Sequence, residues 1–250
     1  SLLFFFLRLD FSQVLHLSIR RQRHMCIIDR VLRSDADSFT NRSTLTDHLS
    51  PKLSASYILN ESSSWKLNAS LERYFKIPTY TMLGFQNNSG EFINKSNRYT
   101  QSDHYVFGVE YNLSPSARFT VDAFRKEYSQ YPVSVVDGVS LANKGAGFEV
   151  LGNEAVVDTG SGLSKGIEVL FQQKLSNNFY GILAYTLFSS EFSGIDNVRL
   201  PSVWDSGNLL TFTGGYKLPK NWEVSLRYRY AGATPFAPTD TAATLITYPQ

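Results

Sequence analysis

Between Asn221 and Tyr230 every second residue is apolar: Trp222, Val224, Leu226, Tyr228 and Tyr230 share one side, and Glu223, Ser225, Arg227 and Arg229 share the other. A repeat of two marks a β-strand with one apolar and one charged face. The run before it has the same form, with Leu210, Phe212, Tyr216 and Leu218 set against Thr211, Thr213 and Lys217. Only Pro219-Lys220-Asn221 separates the two runs, which predicts a tight hairpin. Three more hairpins lie upstream. Leu53, Ala55, Tyr57 and Leu59 turn through Asn60–Ser64 into Trp65, Leu67, Ala69 and Leu71. Tyr105, Phe107, Val109, Tyr111 and Leu113 turn through Ser114–Ala117, and Ile167, Val169, Phe171 and Leu175 turn through Ser176–Asn178. The returning strands at 118–133 and 179–193 alternate less cleanly.

Short turns alternate with long polar connections at roughly 77–103, 136–162 and 194–207, each rich in Gly, Asn, Ser and Asp. Long and short loops therefore belong at opposite ends of one up-and-down sheet. Aromatic residues bracket the short turns in pairs: Tyr57 and Trp65, Tyr111 and Phe119, Phe171 and Phe179, Tyr216 and Trp222. Strands of about ten residues with an apolar outer face, a polar inner face and an aromatic belt predict an antiparallel transmembrane β-barrel. A soluble antiparallel sheet packed on a core also alternates, but no amphipathic helix or second apolar sheet is available to cover these aromatics.

Composition agrees with strands: 42% of residues are hydrophobic, 14% aromatic and only 18% charged, with 18 Phe and 14 Tyr. A net charge of +2 gives no case for nucleic acid. Cys26 is the single cysteine, which excludes a disulfide framework and a thiolate metal site within this chain. No apolar run approaches the ~20 residues of a transmembrane helix. Ser1–Leu7 is apolar but lacks the basic start and small-residue cleavage site of a signal peptide.

The segments "LSPKLSASYILNESSSWKLNASLERYFKIPTYTMLGF", "SDHYVFGVEYNLSPSARFTVDAFRKEYSQYPVSV", "GLSKGIEVLFQQKLSNNFYGILAYTLFSSEF", "PSVWD" and "LTFTGGYKLPKNWEVSLRYRYAGATPFAP" occur in that order. Together, over about residues 31–240, they resemble the barrel domain of TonB-dependent outer-membrane receptors, particularly the Bacteroidetes type. The resemblance implies a barrel of about 22 strands closed around a plug. It also implies a place in the bacterial outer membrane, contact with its lipid, and uptake of a small ligand such as an iron-siderophore or cobalamin, energised through TonB. A passive pore is the alternative. By this reading residues 31–250 are a partial barrel of about ten strands without the plug, a fragment that ends at Tyr248-Pro-Gln250 inside a loop. Residues 1–30, with "RRQRHMCIIDR", do not alternate. They look similar to translated adapter or out-of-frame DNA, with an ordinary divergent strand and loop as the alternative, and they are set aside from the functional reading.

Competing chemistry is weaker. Asp158-Thr159-Gly160 and Asp205-Ser206-Gly207 read like the paired loops of an aspartic protease, which need two carboxylates about 3 Å apart. Yet Asp205 follows Pro201-Ser-Val-Trp204 rather than an apolar strand, and both aspartates fall at long-loop ends. Gly160–Gly162 is expected to be the flexible end of such a loop, where glycines let the chain re-enter the wall. Gly160-Ser-Gly-Leu-Ser-Lys-Gly166 lacks phosphate-loop spacing. His16, His24, His48 and His104 have no metal-ligand spacing. The chain therefore carries no sign of an enzyme or of a cofactor. Ligand contacts are expected from Arg98, Tyr99 and His104 around the first long loop. Arg73, Arg227 and Arg229 are expected to line the inner face, where they would attract an anionic ligand.

Overall fold

The computed structural model describes the backbone of residues 3–9 and, with side chains, residues 50–59, 64–145 and 150–236. Cys26, His16, His24, His48, the turn at 60–63 and the last residues of the chain lie outside the described part. Ten strands form one antiparallel sheet. They are β1 (Leu3–Leu9), β2 (Pro51–Ile58), β3 (Trp65–Lys76), β4 (Thr100–Ser114), β5 (Ala117–Ser134), β6 (Val156–Ser176), β7 (Phe179–Ser193), β8 (Arg199–Pro201), β9 (Asn208–Lys217) and β10 (Glu223–Ala231). Each pairs with the next in the chain, except that β8 is a short addition to β7 and β9 continues the sheet from β7. From β2 onward this is the predicted up-and-down order, whereas β1, inside the segment set aside above, adds a strand paired with β2. Among the described residues the sheet is open, with β1 at one end and β10 at the other.

The hairpin turns show why these residues sit where they do. Asn177 and Asn178 both have positive φ (49° and 66°), as do Lys220 and Asn221 (61° and 62°). Two successive left-handed residues match the twist of the flanking strands, and Asn tolerates that region better than most side chains. At Ser114 the hydroxyl accepts the backbone N–H of Ala117 at 3.0 Å, closing the turn around Pro115.

The register sorts the two faces. Trp65 pairs with Tyr111, Leu67 with Val109, Ala69 with Phe107 and Leu71 with Tyr105. Tyr111 then pairs with Phe119, and Phe119 with Phe171. Phe171 pairs with Leu183, Leu183 with Phe212 and Phe212 with Tyr228. This face leaves Phe107, Tyr105, Ile167, Leu187, Leu226 and Tyr228 exposed. An exposed apolar face of this extent belongs against hydrocarbon. Lys66, Asn68, Ser70 and Glu72 lie on the other face, opposite Glu110, Gly108, Val106 and His104.

Two expectations change. Strands β5 and β6 run for 18 and 21 residues, roughly 60–70 Å at about 3.3 Å per residue, well beyond the reach of a bilayer. Asp158–Gly162 is therefore paired strand rather than loop end: Gly160 faces Tyr131 and Gly162 faces both Tyr128 and Phe192. The glycines there serve close packing. A Cβ on Gly162 would come within 2.3 Å of the Phe192 ring, and one on Gly166 within 2.4 Å of the Leu187 carbonyl oxygen. The inner face of this wall is thus partly aromatic, with Phe188 and Phe124 lying over Gly166. That explains why the returning strands alternate poorly.

Adjacent positions should respond oppositely to charge. In the barrel that holds this sheet, Leu67→Arg is expected to cost about 2–4 kcal/mol of stability in a bilayer. Asn68→Arg, on the polar face, should stay within about 1 kcal/mol. Denaturant unfolding in lipid vesicles measures both, and equal costs would refute the assignment of faces.

Candidate functional site

The three long connections fold onto one another at one end of the sheet. The first carries a four-residue helix, α1 (Tyr80–Leu83), whose Met82 is buried against Leu141 and Val156. Asn94, 1% exposed, holds this connection to the start of β6. Its side-chain nitrogen donates to the carbonyl oxygens of Met82 (2.9 Å) and Glu154 (2.7 Å), and its side-chain oxygen accepts the Val156 N–H at 2.9 Å. Asn97 donates to the Val156 carbonyl at 2.9 Å. Arg98 follows, and both its backbone N–H and its Nε reach Asp158 Oδ2 at 2.8 Å. Asn94, Asn97 and Arg98 thus clasp Glu154, Val156 and Asp158, alternate positions along the chain entering and beginning β6. A second set joins the other two connections. The Asn143 side chain donates to the carbonyls of Leu200 and Pro201 (2.9 and 2.8 Å), the Ile195 N–H to Gly138 O (2.8 Å), and the Val203 N–H to Ala142 O (3.1 Å). Lys144 bridges Asp137 and Glu154, and Glu154 also accepts from Ser134.

Below this ledge, on the inner face, lies an aromatic cluster. Phe192, 1% exposed, packs with ring centroids 5.1 Å from Tyr128, 4.5 Å from Tyr131 and 5.8 Å from Trp204. Trp204 Nε1 donates to Ser190 Oγ at 3.2 Å, and Ser190 in turn meets Ser164 at 2.7 Å. A β-bulge re-aims Tyr131: the register shifts between Tyr128 and Tyr131, and Gln130 takes a left-handed φ of 55°. The same register row continues from Tyr128 through Ser102 to Tyr74. Here Ser102 Oγ lies 2.7 Å from His104 Nε2, the Tyr74 and His104 rings are 4.8 Å apart, and Lys52 lies over the Tyr74 ring at 4.6 Å. The wall therefore presents hydroxyls, aromatic rings and an imidazole along one level.

His104 lies on the polar face as expected. Arg98 and Tyr99 lie where the first connection enters β4, with Arg98 engaged by Asp158. Arg227 and Arg229 also face inward, opposite Thr213 and Thr211, but on β10, across five strand pairings from His104. The proposed set is thus not one cluster. Arg73 is a correction: it shares the face of Leu67 and Leu71, opposite Asp103, with Nε 2.6 Å from Asp103 Oδ1. Its odd position along β3 puts it on the apolar side, above the apolar rows. Of the belt residues, Trp65, Tyr111, Phe119 and Phe171 lie in one register row, with the Trp65 and Tyr111 rings 4.4 Å apart. Tyr57 pairs one row away, with Leu67, whereas Phe179 and Tyr216 pair with each other four residues along β7 from Leu183. Val224 pairs with Tyr216, and Trp222 lies two residues beyond it. These aromatics are level across β3–β6 and lie nearer the short turns on β7, β9 and β10, a shift in the one direction that tilted strands produce.

The structure also decides the protease question. The Asp158 carboxylate is bound by a guanidinium instead of a second carboxylate. Burial opposes its ionisation, but the side-chain and backbone hydrogen bonds from Arg98 outweigh that and hold its pKa below the ordinary carboxylate value. No group of three His, Cys, Asp or Glu side chains able to hold a metal occurs among the described residues. No helix among them is long and apolar enough to cross a membrane.

An antiparallel, up-and-down sheet with one apolar face, very long strands and a folded ledge at one end defines a β-barrel wall of the outer-membrane receptor type. The chain belongs to the TonB dependent receptor-like β-barrel family, whose sequence model matches residues 18–249. No curated protein sequence matches it. Among solved structures it is similar to the ferric-catecholate import receptor Fiu of Escherichia coli K12 in its closed form, with a TM-score of 0.56 and 15% identity over 74% of this chain and 25% of that one. It is also similar to the siderophore receptor PirA of Pseudomonas aeruginosa, with a TM-score of 0.50 and 17% identity over 74% of this chain and 34% of that one. The chain therefore aligns with only a quarter to a third of those proteins. The family is one of transporters and receptors, not of enzymes, and its members are outer-membrane proteins.

Two outcomes follow for the ledge. Asn94→Ala leaves two carbonyls and one N–H without a side-chain partner, at about 1–3 kcal/mol for each buried group left unpaired. Proteolytic cleavage within 77–99 is expected to accelerate at least tenfold, whereas an unchanged rate would show that Asn94 does not hold the loop. The Arg98–Asp158 clasp should depend on pH. Because the folded pKa of Asp158 lies below its unfolded value, the stabilisation is complete above about pH 4 and is lost as pH falls through the folded pKa. The protection factor of the Arg98 amide, its exchange corrected for the intrinsic rate at each pH, measures this: it should fall as pH is lowered in the wild type and should show no such fall in Asp158→Asn.

Proposed function

We propose that this chain forms part of the wall of a bacterial outer-membrane receptor that imports a scarce small ligand, with ferric siderophores as the ligand class, using energy delivered through TonB. The observation that carries the reading is the family match across residues 18–249, together with the up-and-down sheet. Residues 31–250 belong to the barrel in this reading, and the plug and TonB contact of such receptors lie outside them. The likeness to Fiu, a ferric-catecholate import receptor, and to PirA, a siderophore receptor, favours iron chelates over other cargo. The inner wall suits that class. Tyr128, Tyr131 and Trp204, packed around the buried Phe192, offer stacking surfaces with polar edges. Arg98, Tyr99 and His104 lie toward the loop end, and the inward arginines Arg227 and Arg229 add positive potential for an anionic chelate. The aromatics Tyr57, Trp65, Tyr111, Phe119, Phe171, Phe179, Tyr216 and Trp222 form the girdle at the membrane boundary on the short-turn side.

The test is uptake in cells that have the full receptor as their only importer for a radioiron-loaded catecholate siderophore. Accumulation is expected, and deletion of TonB should abolish it. Accumulation that persists without TonB would indicate a passive pore, and none in either strain would reject the catecholate class. Tyr131→Ala should lower affinity for the chelate about tenfold, the loss of roughly one aromatic contact.

A further inference from the structure

We infer that the turn Ser202–Asp205, at the inner aromatic cluster, binds a positively charged arm of the imported ligand, with Trp204 as its stacking surface and Asp205 as its counter-ion. The inference rests on the receptor reading above and adds to it an ammonium or guanidinium group carried by the chelate, apart from the iron centre. The Asp205 N–H closes the turn by donating to the Ser202 carbonyl oxygen at 2.9 Å. The Trp204 ring is fixed by the bond from Nε1 to Ser190 Oγ and by its edge contact with Phe192, with the planes at 74°. Even so, Trp204 is 46% exposed, the one exposed residue among the four rings of the cluster. Asp205 is half-buried, and its carboxylate has no hydrogen bond or ion pair among the described residues. Ser202 at the start of the turn is fully buried, and its Oγ is likewise without a partner among them.

The chemistry of the turn selects its occupant. A carboxylate only accepts hydrogen bonds, so it calls for a donor, and a partly buried one without a partner is costly. A buried hydroxyl left unpaired likewise calls for a group from outside the described chain. An indole face attracts positive charge more strongly than any other aromatic side chain does. A group that both donates to Asp205 and stacks on Trp204 is therefore a cation. The inward cations of this chain are engaged or placed elsewhere. Arg98 is bound to Asp158. Lys126, in the register row of Ser164 and Ser190, lies over the Phe124 ring at 5.4 Å. Arg227 and Arg229 lie on β10, opposite Thr213 and Thr211. None of them makes an ion pair with Asp205. The lumen wall thus suits a ligand with charge of both signs: Lys126 and the arginines of β10 attract the anionic chelate, while the turn at Trp204 and Asp205 holds a cationic arm.

Calorimetric titration of the full receptor in nonionic detergent with a pair of ferric tris-catecholate chelates tests this. The two are identical except that one bears a single aminopropyl arm and the other bears the same arm N-acetylated. The wild type is expected to bind the amine about thirtyfold more tightly, the combined effect of a charge-assisted hydrogen bond and a cation–π contact. In Asp205→Asn that preference should fall below about threefold, because the amide keeps the shape of the side chain and loses its charge. Trp204→Phe, which keeps a ring, should retain more of the preference than Trp204→Leu. Equal binding of both chelates by the wild type would overturn the site, and so would a thirtyfold preference that survives Asp205→Asn. If a receptor that is still a heat-modifiable barrel binds neither chelate, the catecholate reading itself is rejected, and the inference with it.

Discussion

Hydrocarbon offers no water to a peptide N–H or C=O, so a strand that crosses a membrane must satisfy its backbone on the strands beside it. In this chain that constraint is met by an uninterrupted antiparallel ladder from β2 through β7 to β9 and β10. The remaining features follow from it. Hairpins at one end must be tight enough to keep the register, hence the left-handed Asn177-Asn178 and Lys220-Asn221 pairs. Side chains, freed from backbone duty, divide by period two into a face for lipid and a face for the lumen. The terminal strands β1 and β10 and the short β8 are paired on one side alone among the described residues, and the same constraint requires a partner for any such edge that lies in lipid.

Beyond the bilayer the constraint relaxes, and the character of the wall changes. Strands β5 and β6 continue pairing well past the apolar rows, but there both faces meet polar surroundings. The outward side becomes charged at Arg73, Asp103, Arg125, Glu127, Lys165 and Glu191. The inward side gathers aromatics over glycines, with Phe192 on Gly162 and Phe124 and Phe188 on Gly166. Above them the ledge is held by side-chain amides on backbone carbonyls, chiefly Asn94 and Asn143. Such bonds fix a loop without a large apolar core. Asn94 and the Arg98–Asp158 pair tie the first connection to the start of β6.

The parts of this structure that were legible in the sequence are those on which lipid imposed a pattern. The alternation at 65–72, 105–113 and 222–230 returned strands, faces and short turns, and His104, Arg227 and Arg229 share the parity of the polar positions. Where lipid imposes nothing, the sequence is silent. Asp158–Gly162 looks like a loop because its composition is polar and glycine-rich, yet it is strand, held by pairing to Tyr128, Tyr131 and Phe192. Arg73 suggests the lumen by its charge, but its parity with Leu67 and Leu71 puts it on the other face. The aromatic cluster has no sequence pattern because Tyr128, Tyr131, Phe192 and Trp204 come from three separate segments that only the folded sheet and its last long connection bring together. The one local hint was Trp204, a large apolar ring in an otherwise polar connection.

The division of the wall into a lipid face and a lumen face is measured most directly by spin-label accessibility along β3. Single cysteines at successive positions from Trp65 to Glu72, with Cys26 replaced by serine in the full receptor, would be labelled and examined in lipid vesicles. Labels at 67, 69 and 71 should be accessible to oxygen dissolved in the bilayer and shielded from a polar nickel chelate. Labels at 66, 68, 70 and 72 should show the reverse preference. A smooth gradient without alternation, or alternation of opposite phase, would contradict the account.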